Sequence, residues 1–332
     1  MVASFPLAEG RLAQRVCAPL ALNQINLNLL AHVAGDRQFL CTAAASGEAA
    51  FTLIRAGAEA GAAVHFWPGT AIISIFPHDK RPDVIGNFIR SLARARVMIH
   101  GLASSPSAIS AVVTSQKGKA VVRQLFRDFH FSAFQSPEEF FAAQSPLEEL
   151  VRKVVAEYQE KTIKVYWLVP QSDLDLWGMA VSSTDILAGF ADVLLELGSL
   201  GLKIPFLVAI PARQSNEFIL CFSTDSSQSL EERSPQIRRL LQKLLPGLRP
   251  LSLTPVAGIF LHGPHFGDRY GIAQTLVESL EKTNIPLLAL SCTISSISLI
   301  IRQQELAAAQ LVLGNTFATP IEASATSSEG RV

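Results

Sequence analysis

The strongest constraint on the fold is that the sequence repeats itself at a fixed spacing. Residues 74–129 align with residues 262–317 at a constant offset of 188 positions. The aligned pairs include Arg81 and Arg269, Val84 and Ile272, Leu92 and Leu280, Ser107 and Ser295, Ile109 and Ile297, Ser110 and Ser298, Ala120 and Ala308, Leu125 and Leu313, and Phe129 and Phe317. Such a repeat is typical of a fold built from copies of one structural unit.

A weaker likeness precedes each copy. Phe39-Leu40-Cys41 resembles Ile219-Leu220-Cys221, and Leu12-Ala13 resembles Leu187-Ala188, at offsets of 180 and 175. The chain is therefore predicted to consist of two halves, residues 1–131 and 162–317.

The two halves are predicted to be joined by a helical linker over residues 132–161. Ser136 and Ser145 each have the pattern of a helix start, since Pro follows and Glu stands three positions later. The tail, residues 318–332, is rich in Ser, Thr and Ala and is predicted to be disordered.

Within each half, strand and helix patterns alternate twice in the order β-α-β-β-α. In the second half the predicted strands are 163–169, 204–210, 217–223, 251–254, 256–262, 286–291 and 296–302, and the predicted helices include 185–197, 271–282 and 305–315. In the first half they include a strand at residues 2–5 and a helix at residues 82–95. The predicted fold is α+β, with four ferredoxin-like βαββαβ units in two tandem pairs, whose second units begin near residues 68 and 251.

Charge and hydropathy exclude several functions. The 28 Lys and Arg residues equal the 28 Asp and Glu residues, whereas a nucleic-acid-binding protein needs an excess of cations. The longest run without a charged residue or a histidine, residues 283–301, contains Asn284, Pro286 and several serines, which argues against a membrane span. No signal peptide is visible, and the four cysteines are scattered, so a cytoplasmic location is expected.

Several segments together resemble the ACT-domain regulatory region of aspartokinases, present twice. Residues 267–273 (Gly-Asp-Arg-Tyr-Gly-Ile-Ala) and 291–298 (Ser-Cys-Thr-Ile-Ser-Ser-Ile-Ser) resemble the second ACT domain of such a pair. Residues 75–79, 82–85 and 103–110 resemble its copy, and residues 10–13 and 185–188 resemble the start of the first ACT helix. The resemblance implies four ACT-like units.

The chain departs from this family in two respects. Pro106 and Ile294 stand where the family usually has an acidic residue. The Lys-Phe-Gly-Gly signature of the kinase nucleotide site is also absent, so no amino-acid kinase domain is expected. Resemblance to part of an enzyme does not confer its chemistry.

The loops before Pro82 and Gly271 are the predicted ligand sites. Backbone N–H groups at a helix start and a nearby arginine suit a carboxylate, while aspartates suit an ammonium group and hydroxyls complete a pocket. The predicted ligand-binding residues are Asp79, Arg81, Val84, Ser104, Ser105, Ser107, Phe266, Asp268, Arg269, Ile272, Cys292, Thr293, Ile294 and Ser295. The alternative interpretation is that these are solvated loop charges and ordinary turn serines.

The predicted function is non-catalytic regulation, in which an amino acid or similar metabolite is bound and aspartate-family metabolism is the context. The predicted partners are a second copy of the chain or an enzyme of amino-acid biosynthesis, with no nucleic acid and no membrane. No cofactor or metal is expected, since His262 and His265 lack a third ligand nearby in sequence. The alternatives are a ligand-free scaffold for interaction or dimerisation and a degenerate aspartate kinase.

Overall fold

The strands and helices alternate along the chain in the predicted order. The computed structural model describes residues 3–7, 12–35, 38–44, 46–57, 64–143, 165–212, 217–263, 269–293 and 296–317. The strands are β1 (Ala3–Leu7), β2 (Leu27–Val33), β3 (Gln38–Ala44), β4 (Thr70–Ile75), β5 (Ile99–Ser104), β6 (Ile109–Thr114), β7 (Trp167–Ser182), β8 (Lys203–Pro211), β9 (Glu217–Asp225), β10 (Leu251–His262), β11 (Leu287–Cys292) and β12 (Ser296–Arg302). The α+β class is confirmed.

Helices follow the strands in each unit. They are α1 (Ala18–Leu22), α2 (Gly47–Gly57), α3 (Pro82–Arg94), α4 (Gly118–Asp128), α5 (residues 137–143), α6 (Ala191–Ser199), α7 (Leu230–Leu244), α8 (Ile272–Lys282) and α9 (Leu306–Thr316). Short π-helical segments, Ala13–Cys17 and Asp185–Phe190, lead into α1 and α6. Most of the predicted linker helix and the whole predicted disordered tail lie outside the described residues.

The described elements form four units of three strands and two helices. Unit 1 contains β1–β3, unit 2 contains β4–β6, unit 3 contains β7–β9 and unit 4 contains β10–β12. The third strand of each unit lies between the other two, as in β5-β6-β4. Strand β5 and helix α4 of unit 2 recur 188 residues later, with identical bounds, as β11 and α9 of unit 4.

All twelve strands join in one hydrogen-bonded sheet, in the order β1-β3-β2-β11-β12-β10-β7-β9-β8-β5-β6-β4. Units 1 and 2, the two units of the first half, lie at opposite ends of the sheet. Instead β2 of unit 1 pairs with β11 of unit 4, and β5 of unit 2 pairs with β8 of unit 3. A site formed at either of these two strand pairs therefore combines residues from both halves of the sequence.

Strands β7 and β10 connect the part of the sheet formed by units 1 and 4 to the part formed by units 2 and 3. The first residues of β7 pair only with β10, and its last residues pair with β9. The sequence pattern predicted a strand that ended at Val169, but β7 continues through Pro170 to Ser182. Proline is tolerated there because this part of β7 is an edge strand, whose outer side needs no hydrogen-bond donor. Similarly, the two predicted strands 251–254 and 256–262 are one strand with a register shift near Pro255.

The sheet folds into two layers that pack face to face. One cluster of buried residues, including Leu29, Phe206 and Phe260, draws members from all four units and fills the space between the layers. Two further clusters lie under the helices, one for units 1 and 4 and one for units 2 and 3. Helix α8 packs one apolar face inward, since Ile272, Leu276, Val277 and Leu280 are all buried.

Candidate functional site

Helix starts of one unit lie near helix ends of the neighbouring unit at the β2–β11 and β5–β8 strand pairs. In the β2–β11 pair the strands run antiparallel, with Ala31 opposite Ser291, so the two ends of the pair are related by an approximate twofold axis. The β5–β8 pair has the same arrangement, with Ala103 opposite Val208. Ligand sites at helix starts should therefore occur at the ends of these two strand pairs.

The predicted site in unit 2 is filled by its own loop. The N–H of His78 donates to the carbonyl of Ser107 at 2.8 Å, and the N–H of Lys80 donates to the carbonyl of Pro106 at 3.0 Å. The carbonyl of Lys80 accepts from Ile204 of unit 3 at 2.8 Å. The loop thus bonds to the Ser-rich segment that was predicted to bind a ligand.

The side chains of this predicted site are not arranged around a shared ligand. Arg81 forms an exposed ion pair with Asp83, and Asp79 is exposed with a left-handed φ of 50°. Ser105 Oγ accepts from the N–H of Ala108 at 3.2 Å. Ser104 is fully buried, and its hydroxyl has no hydrogen-bond partner within the described residues. Val84 is half-buried and packs against the hydrophobic core of units 2 and 3.

His78 is the buried polar residue of this loop, and it was not among the predicted site residues. The imidazole is fully buried, and its Nδ1 accepts from the N–H of Lys80 at 3.1 Å. Burial lowers the pKa of His78 below its ordinary value, while the carbonyls of Ala108 and Ser105 oppose this effect only in part. The folded protein therefore holds this ring in its neutral form.

We expect His78 to make the protein less stable in mild acid. The unfolded chain binds a proton to His78 near the ordinary pKa of 6.5, and the folded protein binds it only at lower pH, so stability falls as the pH drops below 6.5. One such group contributes at most about 1.4 kcal/mol per pH unit. From about pH 7.5 to about pH 5.5, the free energy of unfolding measured in urea should fall less for His78→Gln than for the wild type.

The exposed His130 provides the control for this experiment. His130→Gln should retain the wild-type pH dependence. Some dependence should remain in His78→Gln, because burial also lowers the pKa values of His100 and His262. An unchanged slope in His78→Gln would contradict the assignment.

In unit 4 the predicted residues line a cavity of only about 10 Å³. Arg269, Ile272 and Cys292 contribute to it together with Cys17 and Leu20 of unit 1. This volume holds about one water molecule and is too small for an amino acid. Thr293 lies beside the cavity residue Cys292, and its hydroxyl contacts the carbonyl of Ser296 at 3.2 Å. Phe266, Asp268, Ile294 and Ser295 lie outside the described residues.

The cysteines of this small cavity are not activated nucleophiles. Burial raises the pKa of Cys292 to about 12. Burial also raises the pKa of Cys17, with smaller contributions from Cys292 and Glu281. Because thiolates are the reactive form of cysteine, both thiols are chemically inert at neutral pH.

The other end of the β2–β11 pair holds an open cleft of about 350 Å³. Its walls come from the helix start and β2 of unit 1 and from the end of α8, β11 and β12 of unit 4. The residues that line it are Leu12, His32, Ala34, Val277, Leu280, Glu281, Asn284, Ile285, Pro286, Leu287, Leu288 and Arg302. We refer to this site as the open cleft. None of these residues was among the predicted site residues.

The open cleft brings together side chains of opposite charge. Glu281 is half-buried, and its Oε1 accepts from the N–H of Ala13 at the first helix start, at 3.2 Å. Arg302 is exposed at the end of β12, and within the described part of the chain it forms no ion pair. Asn284 adds an exposed amide, and His32 adds an imidazole that is 2% exposed.

One sequence signal pointed towards this cleft. Residues 10–13 resemble the start of an ACT helix, and Leu12 lines the cleft. The remaining lining residues come from strand β2 and from the end of α8 with strands β11 and β12. Only the pairing of units 1 and 4 brings these parts together, and no local pattern reveals that pairing.

A larger concave region of about 570 Å³ lies between units 1 and 2. Its lining includes Asn28, Glu48, Phe66, Thr70 and Ile72. Among the described residues of this lining, Glu48 is the one that carries a charge. The open cleft therefore matches a ligand that carries both charges better than this region does.

The described residues show neither a membrane-spanning helix nor a metal centre. Within those ranges no helix has both the length and the apolar character needed to cross a bilayer. Likewise, no three His, Cys, Asp or Glu side chains in that part of the chain converge on a possible metal position. His265, one of the two histidines considered from sequence, lies outside the described residues.

The fold resembles a solved structure of aspartate kinase. Aspartate kinase from Synechocystis matches with a TM-score of 0.76 and 16% identity, over 95% of this chain and 54% of that one. This chain thus spans about half the length of the Synechocystis enzyme. The regulatory subunits of aspartate kinase from Thermus thermophilus and Thermus flavus match with 14% identity and TM-scores of 0.39 and 0.40, each over 47% of this chain and 99% of theirs. No protein-family model and no curated protein matches the sequence.

Proposed function

We propose that this chain is a non-catalytic, cytoplasmic regulatory protein of aspartate-family amino-acid metabolism, which binds an amino acid in the open cleft. The observation that carries the proposal is the cleft of about 350 Å³ whose lining includes Glu281 and Arg302. Small-molecule sites have volumes of about 300–1,000 Å³. The likeness in fold to aspartate kinase suggests the metabolic context.

An amino acid is a zwitterion at neutral pH and needs both an anion and a cation from its receptor. The Arg302 guanidinium can donate two parallel hydrogen bonds to the ligand carboxylate. Glu281 has a second carboxylate oxygen that makes no hydrogen bond within the described residues, and this oxygen can accept from the ligand ammonium. The apolar walls exclude water, which strengthens both interactions.

Binding at this position would link the ligand to the contact between units 1 and 4. Both units contribute to the walls of the cleft, and β2 and β11 form its floor through their hydrogen-bonded register. A ligand that prefers one arrangement of the two units shifts the population towards it. The proposed reader of that arrangement is a second copy of the chain or an enzyme of amino-acid biosynthesis.

A ligand-free scaffold is the second candidate function. It is favoured by the loop of His78, which fills the predicted site in unit 2, and by the small cavity between Cys17 and Cys292. A scaffold would use the four units only for assembly. The open cleft favours the regulatory function over the scaffold.

Titration calorimetry with each of the common amino acids tests the regulatory function. At least one of them should bind, and Arg302→Gln should weaken that binding by about 10- to 100-fold, as expected for the loss of a charge-assisted hydrogen bond. Arg239→Gln is the matched control, since Arg239 is exposed on α7 and does not line the cleft.

Two results would contradict this proposal. Either no amino acid binds at millimolar concentration, or Arg302→Gln binds as tightly as the wild type. The first result would favour the scaffold. Consumption of ATP in the presence of aspartate would instead support a degenerate aspartate kinase.

A further inference from the structure

The charges of the open cleft limit which amino acid it accepts. One carboxylate, from Glu281, and one guanidinium, from Arg302, line the cleft, and among the described residues the lining contains no lysine and no second acidic side chain. The ammonium and carboxylate that every amino acid carries at its α-carbon would use both groups. No fixed charge is then left for the ligand's side chain.

Most of the remaining wall is apolar and its deepest residues are buried, with His32 as a buried polar member. Val277 is 2% exposed, Leu280 is 1% exposed and Ile285 is 4% exposed. Leu12, Ala34, Pro286, Leu287 and Leu288 complete this surface. Asn284 is exposed at the cleft, so its amide can remain hydrated while a ligand is bound. A hydrocarbon side chain would gain affinity from this wall, by about fourfold for each methylene that is removed from water.

We propose that the open cleft selects amino acids with an uncharged, apolar side chain of three or four carbons or their thioether equivalent, such as leucine, norleucine or methionine. This inference rests on the proposed function, because it names the ligand class of the same site. A charged side chain would meet the apolar wall without a partner, and burying an unpaired charge is strongly unfavourable. A short side chain such as that of alanine would leave the wall in contact with water.

Pairs of ligands with similar shape and different charge test this selection. Norleucine and lysine share a four-carbon chain, and only lysine carries a terminal ammonium group. Leucine, asparagine and aspartate have similar branched shapes, and only leucine is apolar. Calorimetry should show at least tenfold tighter binding of norleucine than of lysine, and of leucine than of asparagine or aspartate, since burying an amide or a charge without a partner is unfavourable.

A change in the wall should reverse the preference. Leu287 is half-buried in the lining, so Leu287→Glu would add a carboxylate to the apolar wall. The ratio of lysine to norleucine affinity should then rise by at least tenfold. Leu287→Gln has nearly the same shape without the charge, and it should leave lysine binding weak. Circular dichroism of both variants verifies that they fold, and Leu288→Glu is a second position if Leu287→Glu does not fold.

The possible results separate this inference from the proposed function. If lysine or aspartate binds as tightly as its apolar counterpart, and Arg302→Gln weakens that binding, the regulatory function stands and the apolar selection is overturned. If none of the ligands binds, the regulatory function fails as well. Tight binding of norleucine and leucine that depends on Arg302 supports both.

Discussion

Replacing Asp175 with alanine is expected to lower the free energy of unfolding by about 3–5 kcal/mol, because it leaves Arg233 buried without a counter-charge. Asp175 is fully buried, and Arg233 is 2% exposed. Asp175 Oδ2 accepts from Arg233 Nε at 3.0 Å and from Thr224 Oγ1 at 3.0 Å. Its Oδ1 accepts from the hydroxyls of Ser234 and Thr254, each at 2.9 Å.

The other two nitrogens of the Arg233 guanidinium also have hydrogen-bond partners. Nη1 donates to the carbonyls of Ser226 and Gln228, and Nη2 donates to the carbonyl of Asp173. Asp175 lies where β7 begins to pair with β9, opposite Thr224, and beside the register shift in the pairing of β7 with β10. The network therefore links β7 to β9, to β10 and to α7.

Chemical denaturation of Asp175→Ala and Asp192→Ala measures the difference between a buried and an exposed pair. Asp192 pairs with Arg90 at 2.6 Å, and both side chains are about half exposed, 52% and 40%. Loss of such an exposed pair should cost at most about 1 kcal/mol. The double variant Asp175→Ala/Arg233→Met should recover part of the lost stability, because no charge is then left buried without a partner. Equal losses in the two single variants would contradict this account.

The local elements could be predicted from the sequence because they depend on short patterns. Pro82 and the apolar positions that follow it predicted a helix over residues 82–95, and α3 spans Pro82–Arg94. The predicted strand 296–302 coincides with β12. The repeat predicted that equivalent elements recur, and β5 and β11 have matching bounds at the offset of 188.

The arrangement of the units could not be predicted, because it depends on contacts between distant segments. The pairing of β2 with β11 joins residues that lie about 260 positions apart, such as Leu30 and Cys292. No periodicity along the chain encodes such a pairing. The long strands β7 and β10 were likewise hidden, because Pro170 and Pro255 interrupt their patterns.

The candidate site was predicted only in part for the same reason. Sequence patterns identify helix starts, and those starts do lie at the contacts between units. Whether a contact is filled or open depends on the neighbouring side chains. The buried His78 and its loop fill the contact between units 2 and 3. The contact beside Leu12, between units 1 and 4, leaves the open cleft. Glu281 and Arg302, the charged residues that line the open cleft, both belong to unit 4, and no sequence pattern marked either of them as a site residue.

Replacing Phe206 with alanine is expected to lower the free energy of unfolding by about 3–5 kcal/mol. Phe206 is fully buried on β8, in the cluster that fills the space between the two layers. Loss of the ring removes apolar contacts and leaves a cavity, because a closely packed interior relaxes only in part. Phe76→Ala is the matched control, since Phe76 is 77% exposed and its loss should change stability by less than about 0.5 kcal/mol.

The same variant tests whether the two layers unfold together. The buried cluster between the two layers contains Leu29 of unit 1, Val112 of unit 2, Phe206 of unit 3 and Phe260 of unit 4. A cavity in this cluster should therefore weaken all four units at once. The tryptophan fluorescence, to which the fully buried Trp177 contributes, and the far-ultraviolet circular dichroism should therefore shift to the same lower denaturant midpoint. Separate midpoints for the two signals, or a loss no larger than in Phe76→Ala, would show that the layers are not one cooperative unit.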